Sequence, residues 1–278
     1  MILKILKRII PHSIKRFIID QVDKNYRFKG WNLKTKNSPP WKYINKKAIN
    51  NSQLFYFQEL QNEFENLITD KKFISNQFRK NLFEKSRELM WRHYNVCLTI
   101  KMALSKIKRN ISLCEVGVAD GITTWFALRV LEKEKNNYEN FWLYDSWEEM
   151  KKKYLNVNEY NKIGKFNSND ISTTKSNLNS FRNLKYVKGF VSDTFQKKEN
   201  SPDICDWLHI DLNSSDATIE TLNFFEPKMS NSSLILFDDF GWPSYETTRI
   251  EVEKWCLGKR GILWPLPTGQ AIFFIDKN

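Results

Sequence analysis

The feature that most constrains the fold is a change in the pattern of apolar residues after residue 110. From there on, short runs rich in apolar and β-branched residues alternate with stretches of helical spacing. This alternation predicts a mostly parallel sheet with helices on both faces, because parallel strands need crossover connections. The predicted strands are 111–118, 140–146, 184–190, 205–212, 232–239, 262–267 and 270–276, and the predicted helices are 121–135, 147–163, 172–181, 214–229 and 245–257.

The last two runs, "GILWPLPTG" and "QAIFFIDKN", are joined by a short Pro/Gly connection that has no room for a helix. They should therefore pair antiparallel at one edge of the sheet. The predicted fold class is α/β, with a doubly wound, seven-stranded, mostly parallel sheet that ends in an antiparallel β-hairpin. A helical and irregular N-terminal extension precedes it.

Composition limits the class of protein. A chain of 278 residues with 41% hydrophobic residues can bury a sizeable core, which argues against global disorder. Its four cysteines lie far apart without a C-x-x-C pair, which argues against a zinc site or a disulfide framework. No apolar run reaches the roughly 18 residues of a transmembrane helix. We expect a cytoplasmic protein, with peripheral association at the inner face of the membrane as an added expectation.

Charge is unevenly distributed. Residues 1–110 carry 24 Lys and Arg against 8 Asp and Glu, whereas residues 111–278 carry 20 against 24. A basic N-terminal part suggests an anionic partner, such as a membrane surface, a nucleotide-linked substrate, an acidic glycan or a nucleic acid. The alternative is a general lysine-rich bias that serves solubility.

The chain is therefore predicted to have three parts: a basic amphipathic helix (1–25), a helical extension with an aromatic loop (26–110) and the α/β domain (111–278). Residues 1–22 have the pattern of a basic amphipathic helix, which would lie on an anionic membrane, dock on its own domain or join a second subunit in a homo-oligomer. The irregular segment 26–50 contains Trp31 and Trp41, which would form a substrate-contacting lid or simply pack on the domain.

The segment "ISLCEVGVADGITTWFAL" places two of only nine glycines at a predicted strand-to-helix turn. Glycine lets a ligand approach the backbone there, although the spacing E-x-G-x-x-x-G is not the dinucleotide fingerprint. An acid that ends the second strand, followed by a serine, suits ribose hydroxyls, and the end of the third strand suits a flat slot for adenine. The candidate cofactor residues are Glu115, Gly117, Val118, Gly121, Thr123, Asp145, Ser146, Gly189, Phe190 and Val191.

Three carboxylates follow the fourth and fifth strands: Asp211, Asp238 and Asp239. Adjacent parallel strands would bring them together at the same sheet edge. A hard divalent cation such as Mg²⁺ would relieve their repulsion and supply a Lewis acid.

These blocks, in this order, resemble the class I S-adenosylmethionine-dependent methyltransferases, and specifically the macrocin O-methyltransferase (TylF-like) family. The matching blocks are "CEVGVADG", "YDSWEEM", "VKGFVSDTF" and "HIDLNSSDATIETLNFFEPKM…LILFDDFG". The resemblance covers residues 111–276 and implies a Rossmann-like methyltransferase fold. It also implies S-adenosylmethionine at the glycine loop and a divalent cation on the three aspartates that orients sugar hydroxyls.

The sequence departs from the family pattern where the second acid of D-x-D is Asn213, since an amide cannot act as a base. Asp211 is our candidate for the proton acceptor, and His209 is the second candidate. His93 and Asn213 join the two tryptophans as candidate substrate residues.

The sequence therefore predicts an S-adenosylmethionine-dependent, divalent-metal-assisted O-methyltransferase that acts on a sugar hydroxyl of a glycan, nucleotide-sugar or glycosylated metabolite. An RNA methyltransferase is the first alternative, supported by the basic N-terminal part but disfavoured because no N-P-P-Y tetrad or RNA-binding motif is present. A non-catalytic nucleotide-binding scaffold of the same fold is the second.

Overall fold

A computed structural model describes residues 56–75, 83–166, 170–242 and 244–276. Seven strands form one sheet: β1 (Ile111–Val116), β2 (Tyr138–Asp145), β3 (Leu184–Lys188), β4 (Cys205–Ile210), β5 (Met229–Phe237), β6 (Gly261–Pro265) and β7 (Ala271–Ile275). Their order in space is β3-β2-β1-β4-β5-β7-β6. The first five run parallel, and β7 pairs antiparallel with both β5 and β6. The predicted fold class and the terminal hairpin at one edge are confirmed.

Helices cover both faces of this sheet. They are α1 (Tyr56–Thr69), α2 (Phe83–Lys106), α3 (Ile122–Lys133), α4 (Ile171–Asn177), α5 (Val191–Thr194), α6 (Ser215–Phe225) and α7 (Glu246–Leu257). Short 3-10 helices span Lys152–Tyr154, Val157–Lys162, Lys198–Asn200 and Glu226–Lys228. Within the described ranges, no helix has both the length and the apolar character needed to cross a membrane.

The core has one layer on each face of the sheet. All six residues of β1 are buried, as expected for a central parallel strand, with Leu113 in one layer and Cys114 in the other. Phe64 of α1 and Ile100 of α2 belong to the same layer as Leu113. The hydrophobic core therefore continues across the predicted boundary at residue 110. The predicted helix over 1–22 and the segment with Trp31 and Trp41 lie outside the described residues.

One predicted helix is wrong. Residues 147–163 do not form a continuous helix but two short 3-10 turns. The backbone leaves helical geometry at Trp147, which has φ +49°, and again at Lys151 and Leu155, which are extended. The Asp145 carboxylate accepts a hydrogen bond from the Trp147 N–H (2.6 Å), which turns the chain immediately after β2. Local side-chain bonding of this kind competes with helix formation.

Candidate active site

The central strands end at the same level of the sheet. Val116 pairs with Ile210, and Ile210 pairs with Phe237. The ladder continues one step beyond the strands, because the N–H of Asp211 donates to the Val116 carbonyl (2.8 Å) and that of Asp238 to the Ile210 carbonyl (3.0 Å). The residues that follow β1, β4 and β5 therefore emerge side by side at the carboxyl edge, where open α/β sheets bind ligands.

A cavity of about 470 Å³ opens at this edge. Both predicted halves of the site contribute to its lining. From the cofactor set come Gly117, Asp145, Ser146, Gly189, Phe190 and Val191, and from the acceptor set come Asp211, Asn213 and Asp239. Seven predicted residues are absent from the lining among the described residues: His93, Glu115, Val118, Gly121, Thr123, His209 and Asp238.

The glycines of the β1–α3 turn are explained by the protein's own packing. Gly117 has φ +95°, and a Cβ atom there would lie 1.8 Å from the carbonyl oxygen of Asp211. Gly121 has φ +83° and precedes α3, where a Cβ would lie 3.0 Å from the Leu178 side chain. We expected a ligand to require these glycines, but the backbone of Asp211 already excludes a side chain at position 117.

Asp145 organises this turn. One of its carboxylate oxygens accepts hydrogen bonds from the N–H groups of Val118 and Ala119 (both 2.8 Å), and the other accepts from Trp147. Burial raises the pKa of Asp145, and the three backbone donors act against that rise. The carboxylate therefore fixes the glycine loop and also faces the cavity.

Glu115 and His209 lie behind the cavity. Both are 1% exposed, and His209 Nδ1 lies 3.2 Å from Glu115 Oε1. The other oxygen of Glu115 accepts a short hydrogen bond from Thr124 of α3. Burial raises the pKa of Glu115. The pair and its bond to Thr124 connect β1, β4 and α3. Neither Glu115 nor His209 has direct access to the cavity.

His93 is also a packed residue. Its ring stacks on Phe126, with centroids 4.8 Å apart, and its Nδ1 lies 3.5 Å from the Thr123 hydroxyl. Burial, and secondarily the charges of Arg92 and His209, lower the pKa of His93 well below the ordinary value. The neutral ring therefore belongs to the interface between α2 and α3.

The predicted acid group is assembled. Single oxygens of Asp211, Asp238 and Asp239 lie within 4.8 Å of one another. Asp239 Oδ2 is buried without a hydrogen-bond partner, and burial together with the nearby Asp211 raises the pKa of Asp239 to about 8. An orphaned carboxylate oxygen among hard oxygen donors fits a divalent cation.

Arg92 is a site residue that the sequence did not reveal. It reaches the acid group from α2 and lines the cavity. Its Nε donates to Asp238 Oδ1 (2.9 Å), and its Nη2 donates to Asp211 Oδ2 (3.3 Å) while also contacting the second oxygen of Asp238. No pattern in the sequence of α2 indicates this role.

A second unforeseen group surrounds Asn213, which has φ +56°. The hydroxyl of Tyr245 donates a short hydrogen bond to the Asn213 side-chain oxygen. Lys162 donates to the Asn213 carbonyl (2.9 Å), and its Nζ lies 4.0 Å from the centre of the Tyr245 ring. The buried carboxylate of Glu159 pairs with Lys162 at 3.2 Å. Asn213 is therefore held firmly in the cavity wall.

The end of β3 presents a flat aromatic surface. Phe190 stacks on Tyr154, with ring centroids 3.9 Å apart and planes 12° apart, and both residues line the cavity. An adenine ring at this position stays a prediction. Tyr154 is an additional lining residue that comes from the mispredicted segment.

Known proteins resemble this chain in a sequence segment and in the fold. Residues 114–240 match the family model described as a methyltransferase domain. The O-methyltransferase NovP has a similar structure, with a TM-score of 0.60 and 14% identity over 68% of this chain and 81% of that one. CalS11, described as calicheamicin methyltransferase, has a TM-score of 0.58 and 18% identity over 86% and 94%. An apo structure of CalS11, described as TDP-rhamnose 3'-O-methyltransferase, has a TM-score of 0.50 and 18% identity over 78% and 93%. No protein of curated function matches by sequence.

The matched segment runs from Cys114 in β1 to Phe240, just beyond β5. It contains the glycine turn, Asp145, the end of β3 and all three aspartates. Residues 114–240 therefore resemble a methyltransferase domain.

Proposed function

We propose that this protein transfers the methyl group of S-adenosylmethionine to a hydroxyl of a sugar, assisted by a divalent cation. The observation that carries the proposal is one cavity that residues of both predicted half-sites line, Gly117 and Asp145 from the cofactor set and Asp211 and Asp239 from the acceptor set. A donor and an acceptor placed in one cavity can react directly, and alignment is the main contribution that an activated methyl donor requires.

The residues on the donor side fit S-adenosylmethionine. The Asp145 oxygen that accepts from Val118 and Ala119 uses both of its lone pairs, whereas the oxygen that accepts only from Trp147 has one left for a ribose hydroxyl. Gly189 and Phe190 line the cavity and would border the adenine ring. The cofactor supplies a positively charged sulfonium, which the carboxylates of the lining attract.

The acid group fits a divalent cation, and Asp211 and Asp239 would present oxygens to it from the cavity wall. Such an ion lowers the pKa of a bound hydroxyl and orients it. Asp211 is our candidate for the proton acceptor, because Asn213 cannot take a proton and already accepts from Tyr245. His209 lies too deep to reach an acceptor hydroxyl directly.

The acceptor class is proposed from the four sequence blocks and from the neighbours. The blocks resemble those of the macrocin O-methyltransferase (TylF-like) family. Of the two similar proteins, NovP is described as an O-methyltransferase and CalS11 as a TDP-rhamnose 3'-O-methyltransferase. We therefore propose that the acceptor is a sugar hydroxyl of a glycan, a nucleotide-sugar or a glycosylated metabolite.

Two measurements test this function. Calorimetry should show binding of S-adenosylhomocysteine to the purified protein. Incubation with S-adenosylmethionine that has a deuterated methyl group, in the presence of Mg²⁺, should then place the label on a sugar oxygen within a panel of glycans and nucleotide-sugars. Absence of cofactor binding would point to the scaffold alternative, and label recovered in RNA alone would overturn the sugar acceptor.

A further inference from the structure

Arg92 and the acid group form a charge arrangement that the methyl-transfer proposal does not explain. A guanidinium contacts two of the three clustered carboxylates, those of Asp211 and Asp238. The orphaned oxygen of Asp239 lies in the same group. A cation that belongs to the protein therefore already occupies part of the place where a metal ion would bind.

Arg92 is held in this place from two directions. Asp238, whose side chain is 3% exposed, accepts from the Arg92 Nε and from the Gln270 amide, both at 2.9 Å. Gln270 in turn accepts from Asn95 at 2.7 Å, one turn after Arg92 on α2. This network fixes the inner end of the guanidinium and leaves its Nη2 directed at Asp211.

We propose that Arg92 is an internal cation that competes with the divalent ion for Asp211 and thereby sets the metal affinity of the site. The inference rests on the proposed cation site. Mg²⁺ binds oxygens at about 2.0–2.1 Å. An ion bound to Asp211 would therefore stand within a few ångströms of a guanidinium whose Nη2 is 3.3 Å from the Asp211 oxygen. Two positive charges at such a distance repel each other strongly.

Movement of the guanidinium relieves this repulsion: the Arg92 Nη2 leaves Asp211, while its Nε keeps the hydrogen bond to Asp238. The ion then binds through Asp239 and Asp211, the two carboxylates that line the cavity. In the absence of an ion, Arg92 offsets part of the repulsion among the carboxylates.

The test measures Mn²⁺ binding by electron paramagnetic resonance and calorimetry, with no turnover required. Arg92→Gln and Arg92→Met remove the charge, whereas Arg92→Lys keeps it. We expect the two neutral variants to bind Mn²⁺ about tenfold more tightly than the wild type or better, and the lysine variant to stay within about threefold of it.

Arg109→Gln is the matched control. Arg109 makes two hydrogen bonds to the buried carboxylate of Asp206, at 2.7 and 2.8 Å. Asp206 lies at the start of β4, at the opposite edge of the sheet from the cavity. This variant also removes one arginine from a buried aspartate, and it should bind Mn²⁺ like the wild type. Thermal unfolding and S-adenosylhomocysteine binding establish that each variant is folded.

The outcomes separate the inference from the function. Equal Mn²⁺ affinities in the wild type and both neutral variants would overturn the role of Arg92 and leave the cation site standing. Absence of Mn²⁺ binding in every variant would overturn the cation site and this inference together, whereas methyl transfer to a sugar would still be measurable with chelator present.

Discussion

The carbonyl oxygen of Asp211 lies 1.8 Å from the point that a Cβ atom of residue 117 would occupy. Neither backbone segment can move away from the other, because the N–H of Gly117 donates to the Tyr144 carbonyl and that of Asp211 donates to the Val116 carbonyl, each at 2.8 Å. The cofactor turn after β1 and the acid-bearing end of β4 are therefore in direct backbone contact. A change at this point should disturb both halves of the site.

Gly117→Ala should lower the free energy of unfolding by about 2–4 kcal/mol, since strain at positive φ adds to the overlap with Asp211. Denaturant unfolding measures this loss. Calorimetry should also show weaker binding of S-adenosylhomocysteine, because the turn can relieve the overlap only by moving away from Asp211.

Gly258→Ala is the matched control, since Gly258 has φ −85° and its nearest atom to an added Cβ is 3.8 Å away. Its stability should change by no more than about 0.5 kcal/mol. If the two alanine variants are equally stable, the close approach of residues 117 and 211 is wrong.

Asp145→Asn should weaken S-adenosylhomocysteine binding about tenfold, or about 1.4 kcal/mol. The amide must present an NH₂ group to backbone N–H donors of Val118 and Ala119 or of Trp147, so at least one donor loses its acceptor. Calorimetry at fixed pH measures the change in affinity.

Asp170→Asn provides the comparison for this variant. Asp170 also accepts from a backbone N–H, that of Ser172 at the start of α4, but it is exposed and is not among the residues that line the cavity. The Asp170→Asn variant should be slightly less stable and should keep the cofactor affinity of the wild type. A similar loss of affinity in both variants would mean that Asp145 acts only through general stability.

The fold was predictable because its signal is repeated along the chain. Each predicted strand overlaps an observed one, and Asp211 and Asp238 could be placed together because each immediately follows a strand of a neighbouring pair. Neighbouring ends of parallel strands must share an edge. That argument needs only order and period, which the sequence contains.

Side-chain direction and long-range contact were not predictable. Glu115 is in the correct strand but faces the buried side, where it meets His209 instead of the cavity. Arg92 is separated from Asp238 by 146 residues, and nothing in the local pattern of α2 distinguishes it from other basic residues. The helix predicted over 147–163 failed because the backbone leaves helical geometry at Trp147, where φ is +49°, and again at Lys151 and Leu155, which are extended.

His93 should make folding stability depend on pH. Its pKa in the folded protein is well below 6.5, so the unfolded chain binds a proton below about pH 6.5 that the folded chain does not. Stability contributed by the neutral ring is therefore present above that pH and lost as the pH falls. As the pH falls from about 7.5 to about 5.5, His93 should lower the free energy of unfolding of the wild type by about 1 kcal/mol.

Denaturant unfolding at the two pH values, in the wild type and in His93→Gln, measures this contribution. The variant should lose about 1 kcal/mol less than the wild type over the same interval, because glutamine does not titrate. An identical pH dependence in both proteins would show that His93 does not become buried as a neutral ring.

Asp239→Asn should make the protein more stable and less active. The folded pKa of Asp239 is about 8, above the unfolded value of 3.8, so the folded state binds the extra proton and stability falls as the pH rises between these values. Removing the charge should therefore raise the free energy of unfolding at about pH 7, without added cation, by about 1 kcal/mol or more. Methyl transfer should fall about 100-fold or further, equivalent to about 2.7 kcal/mol, because the cation loses a ligand.

The measurements are denaturant unfolding, turnover with and without chelator, and calorimetry with S-adenosylhomocysteine, whose affinity should stay within about threefold because Asp239 lies on the acceptor side. Chelator should lower wild-type turnover to the level of the variant and have little further effect on the variant itself. Asp203→Asn makes the same chemical change at an exposed position and should match the wild type in all three measurements. Full activity of Asp239→Asn, together with insensitivity of the wild type to chelator, would remove the cation from the proposed reaction and leave the cofactor half of the site intact, because the contacts of Asp145 do not involve the acid group.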